Sequence, residues 1–172
     1  MFKKSYITIA LLCASTNAMA SGYMGAAFGT VDMGLDSIST FDDPTGFELI
    51  LGTRVNQNLS VEASYIDFGE ASDGIAPEWR VNSSSLAFGA LATAPVNENF
   101  DVFMKVGLHI WDADISEDGF GVFAENDGTD LFYGIGATIK VNQNLSLGAR
   151  YNSYDMDGDD VTMFSLNALI GF

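Results

Sequence analysis

One short segment occurs three times in this chain, as Val55-Asn-Gln-Asn-Leu-Ser-Val61, Val96-Asn-Glu-Asn-Phe-Asp-Val102 and Val141-Asn-Gln-Asn-Leu-Ser-Leu147, at intervals of 41 and 45 residues. Each copy sets a polar three-residue tip between apolar residues. That is the chemistry of a tight strand-to-strand turn, in which Asn tolerates the left-handed backbone a short hairpin needs. Only the turn recurs, whereas the copies of a solenoid resemble each other throughout, so the repeat marks hairpins.

Around each turn the apolar residues alternate with a period of two, the signature of a strand with two different faces. Phe47, Leu49, Leu51, Thr53 and Val55 share one face before the first turn, while Glu48, Ile50, Gly52 and Arg54 share the other. After it, Leu59, Val61, Ala63 and Tyr65 oppose Ser60, Glu62 and Ser64. The same pattern marks strands around Leu86–Ala92, Val102–Ile110, Leu131–Ile139 and Leu145–Tyr151. A Gly- and Ala-rich first strand from about Gly22 to Val31 and a last one from about Val161 to Phe172 complete eight. Three short turns and four longer connections join them.

Eight amphipathic antiparallel strands fit either a soluble barrel with an apolar inside or a membrane barrel with an apolar outside. The second face decides between them. It carries Glu48, Arg54, Glu62, Lys105, His109, Lys140 and Arg150 among Ser and Gly, which suits the crowded interior of a narrow barrel. The expected fold is therefore all-β, an eight-stranded antiparallel up-and-down transmembrane β-barrel, with short turns at one end and long loops at the other. Phe164, Leu166, Ala168, Ile170 and Phe172 share one face, and a final strand ending on an aromatic, here Phe172, resembles the assembly signal of outer-membrane barrels generally.

Composition sharpens this reading. The 172 residues include 23 acids against 7 Lys and Arg, for a net charge of -16, yet 48% are hydrophobic. Disordered acidic chains lack such apolar content, and a phosphate backbone demands a basic surface, so disorder and nucleic-acid binding are both excluded. No apolar run reaches the roughly 18–20 residues of a membrane-spanning helix. Residues 1–20 read as a signal peptide, with Lys3 and Lys4, an apolar stretch from Ile7 to Ala14, and Ala18 and Ala20 before a cut at Ser21; residues 21–172 then form the barrel domain. Cys13, the single cysteine, falls inside that peptide, and Leu12 before it argues against lipidation. No disulfide or thiol nucleophile is expected in the exported chain.

The acids are segregated. All but Glu48, Glu62, Glu98 and Asp101 fall in the four longer connections, which places them on one rim. The last group, Asp155, Asp157, Asp159 and Asp160 around Gly158, has the close spacing of a calcium loop but lacks the distal Glu of an EF-hand. It reads as a solvated acidic turn, with weak, unspecific cation association the most it supports. No metal site or cofactor is expected.

Inside the barrel, Glu48, Glu62, Lys105 and Arg150 fall on the inward faces of the second, third, fifth and seventh strands, so they can meet across the lumen. Buried charges must be paired. A polar plug that closes the lumen is preferred over a gated ion path. His109 is the only histidine, and without a G-x-S-x-G the chain is not expected to be an enzyme.

Three segments carry a family resemblance. Ser64-Tyr-Ile-Asp-Phe-Gly-Glu70 is similar to a Tyr-x-Asp-Phe-Gly stretch after the third strand of the OmpA-like and OmpX-like eight-stranded outer-membrane proteins. Lys105-Val-Gly-Leu-His-Ile-Trp-Asp-Ala-Asp114 resembles their fifth strand, and Phe132-Tyr-Gly-Ile-Gly-Ala137 leads through the Asn-rich turn to Leu145-Ser-Leu-Gly-Ala-Arg-Tyr151. The resemblance implies acid–base pairs bridging the lumen, which fits Glu62, Lys105 and Arg150 and extends to Glu48. It implies location in the bacterial outer membrane and a structural or surface-interaction role in membrane integrity or adhesion. Narrow channel and lipid-modifying enzyme are the alternatives. Implied partners are outer-membrane lipid and lipopolysaccharide, the barrel-assembly machinery, and a host or surface ligand. The peptidoglycan-binding domain that follows the barrel in OmpA has no counterpart before Phe172, so cell-wall anchoring is not expected.

Overall fold

The computed structural model describes residues 22–34, 43–72, 79–117 and 121–172. The expected signal peptide and the acids Asp36, Asp42, Asp73, Glu78 and Asp118 lie outside them. Eight strands are present: β1 (Gly22–Asp32), β2 (Thr45–Arg54), β3 (Leu59–Ser72), β4 (Trp79–Pro95), β5 (Phe100–Glu117), β6 (Gly121–Lys140), β7 (Leu145–Met156) and β8 (Asp159–Gly171). Each pairs antiparallel with its sequence neighbours, and β1 pairs with β8 to close the barrel. Closure leaves no free sheet edge where the wall is complete.

Alternation assigns the two faces. Met104, Val106, Leu108 and Ile110 of β5 are exposed, while Phe103, Lys105, His109 and Trp111 between them are buried. The outward apolar stretch from Val102 to Ile110 is of the length a tilted membrane strand requires, about 9–11 residues. Its upper border carries aromatics, with the Phe28 and Phe47 rings 6.4 Å apart and Phe47 and Tyr65 6.1 Å apart. Among the described residues no helix is long and apolar enough to cross a membrane; the strands do so.

The repeated turns form by a different device from the one expected. Among the described residues Asp157 is the only non-glycine with positive φ, so the Asn residues of the turns are not left-handed. Instead the first Asn side chain of each copy folds over its own turn: Asn56, Asn97 and Asn142 Oδ1 accept from the N–H of Asn58, Asn99 and Asn144 at 2.8–2.9 Å. This is an Asx turn. The third-position carbonyls of Asn58, Asn99 and Asn144 then accept from Thr93, Lys140 and Gly171 of neighbouring strands. The motif recurs because both Asn positions have work in every copy.

Two of the expected long connections are shorter than anticipated. The acids from Asp112 to Asp130 stand mostly on β5 and β6, which pair as far as Glu117 and Gly121. The group Asp155–Asp160 is no loop: β7 and β8 pair through Met156↔Asp159, and only Asp157 (φ 58) and Gly158 (φ 94) turn the chain. Two successive positive φ values define a type I′ hairpin, which an Asp-Gly pair favours.

Candidate functional site

The lumen is layered. Near the end that bears the three Asn turns, a cavity of about 620 Å³ opens to solvent, with Tyr23, Glu62, Phe103, Arg150 and Leu169 among its lining residues. The charged layer adjoins it. Arg150 of β7 donates from Nη1 and Nη2 to both oxygens of Glu62 on β3, at 3.0 and 3.1 Å. Lys105 Nζ of β5 lies 3.1 Å from Glu62 and 3.4 Å from Glu48 of β2. All four charges are at most 4% exposed. Two acids and two bases cancel, and the bidentate guanidinium–carboxylate geometry is the strongest such pairing available.

Neighbouring groups fix this network. Tyr23 Oη donates to Glu62 at 2.9 Å, and Ser64 Oγ sits 3.5 Å from Lys105 Nζ. Lys105 also lies 5.1 Å from the Phe132 ring centre and Arg150 5.4 Å from that of Phe103. Cation–π contacts of this range stabilise desolvated cations. None of these partners was singled out from sequence, although the lumen-facing parity of Phe103 and Phe132 was available to find them.

Beyond the charges the lumen is filled by apolar side chains. Phe68, Phe132, Tyr154, Ile66, Val31 and Met163 are fully buried, and Trp111 and Met156 close over them. Phe132 stacks on Tyr154 at 5.4 Å, and Phe68 meets Tyr154 edge-on at 5.1 Å. Glycines make room for this packing. A Cβ on Gly89 would come within 2.8 Å of the Phe132 ring, and one on Gly128 equally close to Trp111.

His109 lies within this apolar layer. Its Nε2 is 2.8 Å from the carbonyl oxygen of Asp155, so this nitrogen carries the proton, and Nδ1 accepts from Ser85 Oγ at 2.9 Å. A Ser–His pair thus exists that sequence reading missed, because Ser85 and His109 are brought together only by the β4–β5 register. Both are buried, at 2% and 0% exposure, and Ser85 Oγ also reaches the Ile110 carbonyl at 3.3 Å. Trp111 Nε1 donates to Asp130 at 2.7 Å beside them.

At the far end, β3 to β6 continue beyond the apolar band as a sheet. Its outward face carries two cross-strand rows, Asp67, Ser84, Asp112 and Asp127, then Glu70, Asn82, Asp114 and Glu125. Asp112 opposes Asp127 and Asp114 opposes Glu125, an arrangement of like charges that weakens a sheet. Ser84 and Asn82 donate to Asp112 and Glu70, and Arg80 lies 3.6 Å from Glu70. In the β7–β8 hairpin, Asp155 Oδ1 accepts from Gly158 N–H and Asp160 Oδ1 from Ser153 Oγ, while Asp157 and Asp159 are exposed. Among the described residues no three His, Cys, Asp or Glu side chains converge as a metal would require. Phe172 is exposed at the other end, its N–H bonded to the Gly22 carbonyl at 2.8 Å.

The sequence matches the family described as outer membrane protein beta-barrel domain over residues 6–172. The chain belongs to that family. As an outer membrane protein beta-barrel domain it is a bacterial outer-membrane protein. No curated protein matches it. Solved structures share the fold. Ail, the attachment invasion locus protein of Yersinia pestis, is 22% identical with TM-score 0.59, over 89% of this chain and 97% of that one. Neisserial surface protein A is 18% identical with TM-score 0.60 over the same shares. The N-terminal barrel of Pseudomonas aeruginosa OprF is 12% identical with TM-score 0.64, over 88% and 97%.

Proposed function

We propose that this outer-membrane barrel is a surface-interaction protein and not an enzyme or a pore, with its lumen serving as a rigid plug and its outer sheet as the contact surface. The observation that carries this reading is the double row of carboxylates, Asp67, Asp112 and Asp127 with Glu70, Asp114 and Glu125. Opposed acids cost stability, and they stand apart from the buried charge network and apolar layer that fill the lumen. Their charge favours a partner that presents cations and steers it on approach. Ail was solved with sucrose octasulfate, a heparin analogue. This chain would repel such a polyanion, so its ligand is of the opposite charge.

The lipid-facing band would contact outer-membrane lipid and, in the outer leaflet, lipopolysaccharide, and Phe172 would be read by the barrel-assembly machinery. The plug supports a role in anchoring and membrane integrity. Cells displaying the wild-type protein are expected to adhere to a surface coated with a basic protein. A variant with Asp112→Asn, Asp114→Asn, Glu125→Gln and Asp127→Asn should lose that adhesion at equal surface abundance. Undiminished adhesion by the variant would overturn the assignment of the contact surface.

A further inference from the structure

The two halves of the lumen are packed in opposite ways. On one side of the charged layer Phe68, Phe132 and Tyr154 fill the bore, whereas at the turn end rings of the same size leave it open. Glycines are the cause. Tyr23 of β1 pairs with Gly52 of β2, and Phe103 of β5 with Gly136 of β6; a Cβ on either glycine would collide with the ring of its partner. Both rings therefore fold back against the wall instead of crossing the lumen. What remains is the cavity of about 620 Å³, which ends on the Glu62–Arg150 pair. Small-molecule sites commonly span roughly 300–1,000 Å³.

The lining reverses the charge balance of the chain. Three of the seven Lys and Arg line it, Arg54, Lys140 and Arg150, against two of the 23 acids, Glu62 and Asp101. Arg150 is held by Glu62 at the floor. Lys140 Nζ lies 2.9 Å from Asp101 Oδ2 and 3.1 Å from its Oδ1. Arg54 is exposed at the mouth, and its guanidinium meets no carboxylate among the described residues. Deeper than Arg54, the side chains of Tyr23, Leu91, Phe103 and Leu169 supply apolar wall. One uncompensated charge over an apolar wall orients a ligand by a single group and holds it by contact area. The strands are paired all the way round, so a ligand enters from solvent and not from lipid.

We propose that the cavity at the turn end binds a small soluble organic acid, with its carboxylate on Arg54 and a compact apolar body against Tyr23, Leu91, Phe103 and Leu169. The guanidinium fork matches the two oxygens of a carboxylate, which favours this head group over a neutral one. A second negative charge on the ligand would meet Glu62 or Asp101, and a cationic ligand would meet Arg54, so a monoanion fits best. The charged floor and the apolar layer beyond it limit the length of the guest. The site lies at the opposite end of the barrel from the acidic sheet and stands independently of the surface-interaction reading.

The test uses the full chain in lipid nanodiscs with para-(trifluoromethyl)benzoate, read by fluorine NMR, and the neutral para-(trifluoromethyl)benzamide as its match in shape. Empty nanodiscs report partition into lipid. Saturable binding of the acid above that blank is expected, weakening with salt, and the amide should bind about tenfold more weakly. Arg54→Gln should bring the acid down to the level of the amide, and Arg54→Lys should keep most of the affinity. Thr138→Trp, which fills the cavity from a half-buried position on its wall, should abolish binding of both probes. Binding of the acid no greater than to empty nanodiscs, or equal to that of the amide, would overturn the proposal. Unchanged binding of the acid in Arg54→Gln, or in folded Thr138→Trp, would also overturn it. Should Thr138→Trp fail to fold, the comparison of acid with amide on the unaltered protein still decides.

Discussion

Arg150 and Glu62 meet across the lumen from β7 and β3, two strands that share no ladder, with Nη1 and Nη2 of the guanidinium each donating to one carboxylate oxygen. The pair ties opposite walls of the barrel together, and Glu62 is its centre, since Tyr23 and Lys105 also bond to it.

Glu62→Gln leaves two buried cations facing one acid, Glu48. Removing one partner of a buried pair costs about 3–5 kcal/mol, so denaturant unfolding in detergent should shift by that order. Glu62→Met combined with Arg150→Met leaves the balanced Lys105–Glu48 pair and should recover most of the loss. A double variant as unstable as the single one would show that the geometry, and not the charge balance, supports the barrel.

Among the described residues, the apolar layer around Phe68, Phe132 and Tyr154 fills the lumen beyond the cavity at the turn end. Purified protein in planar bilayers is expected to show no stable large conductance. Steady porin-size openings would refute the plug.

The Ser85–His109 pair has the tautomer a base needs, yet both side chains are enclosed. Outer-membrane lipid incubated with the protein should release no fatty acid. Release that disappears in both Ser85→Ala and His109→Ala would instead assign catalysis to this pair.

The turns make a smaller, local prediction. Asn142 Oδ1 accepts from Asn144 and Leu145 N–H, so Asn142→Ala should destabilise by about 1 kcal/mol. Gly158→Ala, at φ 94, should cost about 1–2 kcal/mol through backbone strain. Refolding yields measured by heat-modifiable migration would rank these below Glu62→Gln, and the reverse order would contradict the network's primacy.

The sequence by itself determined the strand count, the two faces and the turn positions, because each depends on neighbours one or two residues away. The alternation of Lys105 with Met104 and Val106 is visible in any window of β5. It also placed Glu48, Glu62, Lys105 and Arg150 on inward faces. Which of them meet was decided only by the closed barrel, since strand tilt and stagger set the height at which β3 and β7 face each other. Polar β5 and β6 beyond Ile110 read as loop, because Asp and Gly have poor strand propensity, and pairing within the sheet overrides that preference. The same tertiary arrangement turned the Asp155 carbonyl toward His109. That contact does not follow from local pattern, because it depends on where β7 stops relative to a strand folded beside it.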